Sequence, residues 1–215
     1  MRISAVSAGL KHSLALSEVG EVYSFGDGHY GQLGHAHQVM RHTPQPIAAL
    51  QGVRVGAVSA GGQHSLVLST AGILYSFGCG EHGQLGHGDD ASQFAPRLVK
   101  ALQGMRVSAV SAGAVHSLAL SEGKVYSFGS GGCGNHGHGN TAAQDTPRVI
   151  EGLQDVRVRS VSAGYDTSLA VATDGETYGW GSAVDHAGLL YPVLGLELKA
   201  DQLVPLKYPG LCLQV

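Results

Sequence analysis

The segment Val-Ser-Ala-Gly-x-x-His-Ser-Leu-Ala-Leu runs from Val6 to Leu16 and returns, with small changes, at Val58 to Leu68, Val110 to Leu120 and Val161 to Val171. The copies begin at positions 6, 58, 110 and 161, so the intervals are 52, 52 and 51 residues. A period of this length is the mark of an array in which one supersecondary unit is stacked on the next. The chain of 215 residues is therefore read as a single repeat domain, 1–215, with units 1–52, 53–104, 105–155 and 156–215.

Each unit reads as four short strands. The first is Arg2 to Ala8, recurring as Val53 to Ala60, Arg106 to Ala112 and Arg157 to Ala163. In the second copy the strand period of two places Val53, Val55 and Ala57 on one face. Gly9, Gly61, Gly113 and Gly164 end this strand, as a positive-φ turn or a close backbone approach would require. The second strand, His12 to Ser17, carries His12, Leu14 and Leu16 on one side and small residues on the other.

A hairpin follows at Gly20, Gly72, Gly123 and Gly175. In the fourth unit Asp174-Gly175 predicts a two-residue turn, and the third unit is one residue shorter between Leu120 and Val125. The third strand pairs aromatics two positions apart: Tyr23 with Phe25, Tyr75 with Phe77, Tyr126 with Phe128, and Tyr178 with Trp180. A glycine-rich loop, Gly31-Gln32-Leu33-Gly34-His35 and Gly83-Gln84-Leu85-Gly86-His87, comes next. Pro44, Pro96, Pro147 and Pro205 then predict the start of a short outer strand such as Arg97-Leu98-Val99.

Composition supports strands over long helices. The chain holds 33 glycines, and charged residues are 13% of it, about half the usual share. The net charge of −3 comes with no Lys/Arg run, so nucleic-acid binding through a broad basic face is not expected. No stretch approaches the ~18 apolar residues of a membrane span. Lys11 and His12 break up any signal-peptide core near the start. Cys79, Cys133 and Cys212 fall at non-equivalent repeat positions, which predicts free thiols in a reducing, intracellular compartment, cytoplasmic or nuclear.

Val-Tyr-Ser-Phe-Gly, Gly-Gln-Leu-Gly and Gly-x-x-His-Ser-Leu-Ala-Leu together make the chain resemble the regulator of chromosome condensation repeat family. That resemblance implies an all-β, β-propeller-type array of four-stranded antiparallel blades. The familiar members close seven blades, so about four units would be partial or open relative to that ring. The fourth unit departs from the pattern: Thr167 stands in the histidine place, Trp180 in the Phe place, and six extra residues fall within Ser182 to Val193. The third unit has Asn135-His136 where Gln-Leu stands in the first two.

Twelve histidines raise the question of a metal. His12, His64 and His116 occur one per unit and so lie in different blades, where a structural, hydrogen-bonded role is expected. His35-Ala-His37 and His136-Gly-His138 look more metal-like but have no Cys or carboxylate at zinc spacing, so no metal and no cofactor is expected. Each Ser of His-Ser-Leu points to the strand face opposite its own His and cannot form a nucleophile–base pair with it. No catalytic residue is assigned, and the chain is not expected to be an enzyme.

Candidate partner-binding residues are Asp185 and His186 in the insertion, and Asp89 and Asp90 in a loop that differs between units. The reading is a non-catalytic protein–protein interaction module, within a larger regulatory or ubiquitin-ligase-like protein. The alternative that the resemblance implies is guanine-nucleotide exchange on a small Ran- or Rab-like GTPase. Ultraviolet-B photoreception, also within the resemblance, needs clustered tryptophans, and the chain has one. Unpaired strand edges at both ends would seek a homodimer or the missing blades of a longer chain.

Overall fold

A computed structural model describes residues 2–182 and 200–212. Most of the insertion, with Asp185 and His186, lies outside the described residues. Sixteen strands form four four-stranded antiparallel sheets, each in simple chain order. The first sheet is β1 (Ile3–Ala8), β2 (His12–Ser17), β3 (Val22–Gly26) and β4 (Arg41–Pro46). The second is β5 (Val55–Ala60), β6 (His64–Ser69), β7 (Leu74–Gly78) and β8 (Gln93–Leu98). The third is β9 (Val107–Ala112), β10 (His116–Ser121), β11 (Lys124–Gly129) and β12 (Gln144–Val149). The fourth is β13 (Val158–Ala163), β14 (Thr167–Ala172), β15 (Glu176–Gly181) and β16 (Gln202–Cys212).

The first strands of successive sheets, β1, β5, β9 and β13, touch one another in turn, and the fourth strands lie outermost. The sheets are thus blades set around an axis. Short 3₁₀ turns at Ala48–Leu50, Lys100–Leu102 and Glu151–Leu153 carry the chain from each outer strand to the next inner one.

The core lies between blades. Leu16 and Val22 of the first blade share one buried cluster with Ile47, Leu50, Val55, Val67 and Phe77. Equivalent clusters join the second blade to the third around Phe128, and the third to the fourth around Trp180. A single blade cannot bury its own aromatic, which is why the unit is stable only in an array. The first blade bears this out: Phe25 is half-buried, whereas Phe77, Phe128 and Trp180 are fully buried. Val6 is 77% exposed, while its equivalents Val58 and Val110 pack against the seam clusters.

Several local expectations change. Val53, Val55 and Ala57 do not share a face, because the register slips between Val55 and Ala57. A bulge there adds one residue against the partner strand, so Val58 joins Val55 in one seam while Ala57 turns to the next. Pro44 and Pro96 sit inside outer strands, not at their starts. Each falls in the gap where the ladder to the neighbouring strand is interrupted, so its missing N–H leaves no partner unsatisfied. Thr173-Asp174-Gly175 makes a three-residue connection between β14 and β15. The two-residue turn belongs to the shortened third unit instead, where Glu122 (φ 53°) and Gly123 (φ 80°) both take the left-handed conformation of a type I′ hairpin.

Candidate functional site

The repeated polar residues meet at the seams between blades. Ser65 donates its hydroxyl to the Gln32 carbonyl at 2.8 Å and lies 2.9 Å from His12 Nε2. The serine has one proton and gives it to the carbonyl, so the imidazole must donate through Nε2–H. The same arrangement joins His64 to Ser117 and the Gln84 carbonyl, and His116 to Ser168 and the Asn135 carbonyl. His64-Ser65 and His116-Ser117 therefore each send the histidine to the next blade and the serine to the previous one, while His12 and Ser168 supply the two end members of the row. Adjacent residues of a strand face opposite ways, which makes this two-sided join available to the dipeptide.

The polarity of these pairs is wrong for nucleophilic catalysis, which needs an imidazole that accepts the serine proton. Burial keeps the rings neutral: desolvation pushes the imidazole of His12 down to about 4 and those of His64 and His116 to about 3. Beside each ring a glycine admits the next blade. A Cβ on Gly61 would stand 2.5 Å from the Gly113 carbonyl oxygen and 2.5 Å from His64 Cε1, and one on Gly113 would meet His116 and the Gly164 carbonyl. None of these glycines has positive φ. Close approach, not turn geometry, is what requires them.

The histidines that close the glycine-rich loops form a second row, joined in the third unit by His138. His35, His87 and His138 place Nε2 at 3.0, 3.1 and 2.9 Å from Ser24, Ser76 and Ser127. Each of those serines donates to a loop carbonyl, of Leu33, Leu85 and His136 respectively. The separation of 11 residues between serine and histidine is the same in all three units. His136 donates its Nε2–H to the Ala142 carbonyl at 2.7 Å, and His37 is exposed. Among the described residues no three His, Cys, Asp or Glu side chains gather at a metal-binding distance.

The departures in the third and fourth units meet in space. The indole Nε1–H of Trp180 donates to the Asn135 carbonyl at 3.0 Å, and Asn135 Nδ2 lies 3.3 Å from His116 Nδ1. In the first two units Gln32 and Gln84 hold the Asn135 place, and the Nδ1 atoms of His12 and His64 have no hydrogen-bond partner. We expect Trp180→Phe to cost roughly 2 kcal/mol through the lost indole bond and the smaller ring. The shift in urea midpoint, read by circular dichroism, checks it, and a change within error would contradict this account of the seam.

Tyr75, Tyr126 and Tyr178 pack against the seam clusters, while Tyr23 is half-buried and donates to Glu21 Oε2 at 2.9 Å. Asp89 pairs with Arg97 at 3.4 Å and accepts from the Ala91 amide at 3.2 Å, so it shapes its own loop. Asp90, beside it, is exposed. Cys79 is a buried free thiol and Cys133 a partly buried one. No helix among the described residues is long and apolar enough to cross a membrane.

The description "Regulator of chromosome condensation (RCC1) repeat" matches residues 19–68, 71–120 and 122–171, and a second description of the same repeat matches 3–32, 57–84 and 158–185. The chain is 37% identical to the ultraviolet-B receptor UVR8 of Arabidopsis thaliana, over 95% of its own length and 46% of the receptor's. It is 40% identical to the E3 ubiquitin-protein ligase HERC2 of Homo sapiens, over 85% of its length and 4% of the ligase. Among solved structures, human WBSCR16 matches 99% of the chain with 55% of its own, at TM-score 0.86 and 28% identity. Prp20p of Saccharomyces cerevisiae, described with its binding properties to Gsp1p and histones, matches 97% with 50% of its own, at TM-score 0.80 and 28% identity. The chain thus spans about half or less of these relatives. With three consecutive matched repeats whose shared residues form the blade seams, it belongs to the regulator of chromosome condensation repeat family.

Proposed function

We propose that the chain is a protein–protein interaction module without chemistry of its own, working within a larger regulatory or ubiquitin-ligase-like protein. One observation carries this reading: the recurring histidines and serines are consumed in buried bonds from blade to blade. Their role is to hold a rigid frame, and the residues free to differ lie in the loops the frame presents. The small share of HERC2 that the chain spans supports a module role. Contact residues are proposed at Asp90, with Asp89 fixing the loop, and at Asp185 and His186. Replacing Asp90, Asp185 and His186 by alanine should abolish capture of the partner while leaving the urea midpoint unchanged. Unfolding by the triple change, or undiminished capture, would refute the assignment.

Exchange on a Ran- or Rab-like GTPase is the second reading, supported by the likeness to Prp20p and its described binding to Gsp1p. Release of a fluorescent nucleotide from a panel of such GTPases decides it. No acceleration at micromolar chain removes exchange and leaves the interaction module standing.

A further inference from the structure

Arginine precedes every inner strand; Arg54, Arg106 and Arg157, with Arg159 two residues further on, each follow a preceding blade, as Arg2 of the first blade does not. In sequence these are isolated charges one repeat apart. The blades bring them to one end of the axis, because every inner strand starts there. The residue after each of Arg54, Arg106 and Arg157 is pinned by the preceding blade. The amides of Val55, Val107 and Val158 donate to the carbonyls of Gly20, Gly72 and Gly123 at 3.1, 3.1 and 2.9 Å.

The aliphatic stem of each arginine then crosses that same glycine. A Cβ there would lie 3.0, 2.9 and 2.8 Å from Cγ of Arg54, Arg106 and Arg157. The stems are held by packing and the four guanidinium groups belong to exposed residues. Arg2, Arg97 and Arg148 have carboxylate partners, at Glu18, Asp89 and Glu151. Among the described residues no ion pair engages Arg54, Arg106, Arg157 or Arg159.

Arg106, Arg157 and Arg159 line one groove of about 610 Å³ at this axial mouth, with Leu68 and Leu120 buried in the seams beneath them. Among the described residues Glu122 is the one carboxylate in its wall. Three guanidinium groups against one carboxylate leave the groove cationic, on a chain whose net charge is −3.

We propose that this groove binds an acidic segment of a protein partner, Asp- or Glu-rich with interspersed apolar residues. The inference rests on the interaction-module reading and names its partner class. Guanidinium groups fork onto carboxylates, and the aliphatic stems of the exposed arginines suit apolar side chains between them. A nucleic-acid strand fits less well, since among the described residues no aromatic side chain lines the groove to stack a base.

The probe is a fluorescein-labelled peptide of alternating Glu and Leu, titrated with the intact chain and followed by anisotropy. Binding should be saturable and weaken as salt rises. Arg106→Gln with Arg157→Gln should weaken it tenfold or more, while Arg97→Gln with Arg148→Gln, an equal change in net charge, should leave it within twofold. The urea midpoint of the first pair reports that the fold is intact. Absence of peptide binding, equal loss in both pairs, or no loss in the first overturns the proposal. Binding of an oligothymidylate of equal charge as tightly as the peptide overturns it in favour of nucleic acid. Any of these failures leaves the interaction-module reading intact, because capture by the Asp90, Asp185 and His186 variant is measured separately.

Discussion

Gly61→Ala is expected to destabilise the chain by on the order of 4 kcal/mol or to prevent its folding. The added methyl would sit 2.5 Å from the Gly113 carbonyl of the next blade and 2.5 Å from the buried His64 ring. Neither neighbour can yield: the carbonyl accepts a bond from the Gly62 amide at 3.0 Å, and the ring is held by Ser117 at 2.9 Å. Gly104→Ala supplies the contrast. Gly104 has φ +90° but open space around its Cβ position, so the cost there is the left-handed backbone alone, about 1 kcal/mol. Urea unfolding followed through Trp180, the single tryptophan, measures both. Equal costs at the two positions would show that close packing at the axis is not what fixes Gly61.

Acid should unfold the chain well before its carboxylates are all neutral. His12, His64 and His116 are neutral in the folded protein down to about pH 4, 3 and 3, chiefly because burial penalises the charged ring. The neighbouring imidazoles His12 and His116 lower His64 further, His136 lowers His116 further, and Asp27 partly offsets the effect at His12. In the unfolded chain they titrate near the ordinary value, 6.5. Above that value both states are neutral and the histidines' contribution is complete. Below it the unfolded state takes up protons that the folded state refuses, so stability falls with pH until the folded values are reached.

Between pH 7 and 5 each ring should remove about 2 kcal/mol, and three together on the order of 6 kcal/mol, comparable with the whole stability of many domains. The urea midpoint should therefore drop steeply over that interval. Replacing His64 and His116 by Gln, whose amide can also donate to Ser117 and Ser168, should flatten the slope. A midpoint unchanged from pH 7 to 5 would contradict the neutral, donating state assigned to these rings.

Much of the architecture was legible because it is periodic. The 52-residue spacing, the alternation in His12 to Ser17 and the paired aromatics specify four copies of a four-stranded unit. Exceptions arose where the backbone leaves strict period two. The bulge after Val55 and the interrupted ladder beside Pro96 add residues on one strand only, and no side-chain pattern announces them. The type I′ turn at Glu122-Gly123 was hidden because it was produced by a deletion, not by a favoured dipeptide.

Repetition alone specifies which residues recur, and hence the blade, its aromatic core and the structural standing of His12, His64 and His116. What those residues touch comes from the packing of one blade on the next. His12 and Ser65 are 53 positions apart, and their bond exists because consecutive blades are stacked. The same stacking explains why Asn135 and Trp180, odd in their own units, form one joint, and why scattered arginines become a groove. Periodicity fixes the content of each unit. The relation between units is set by packing around the axis, where glycine at positions 9, 61 and 113 lets backbones approach closely enough for side chains of one blade to complete the next.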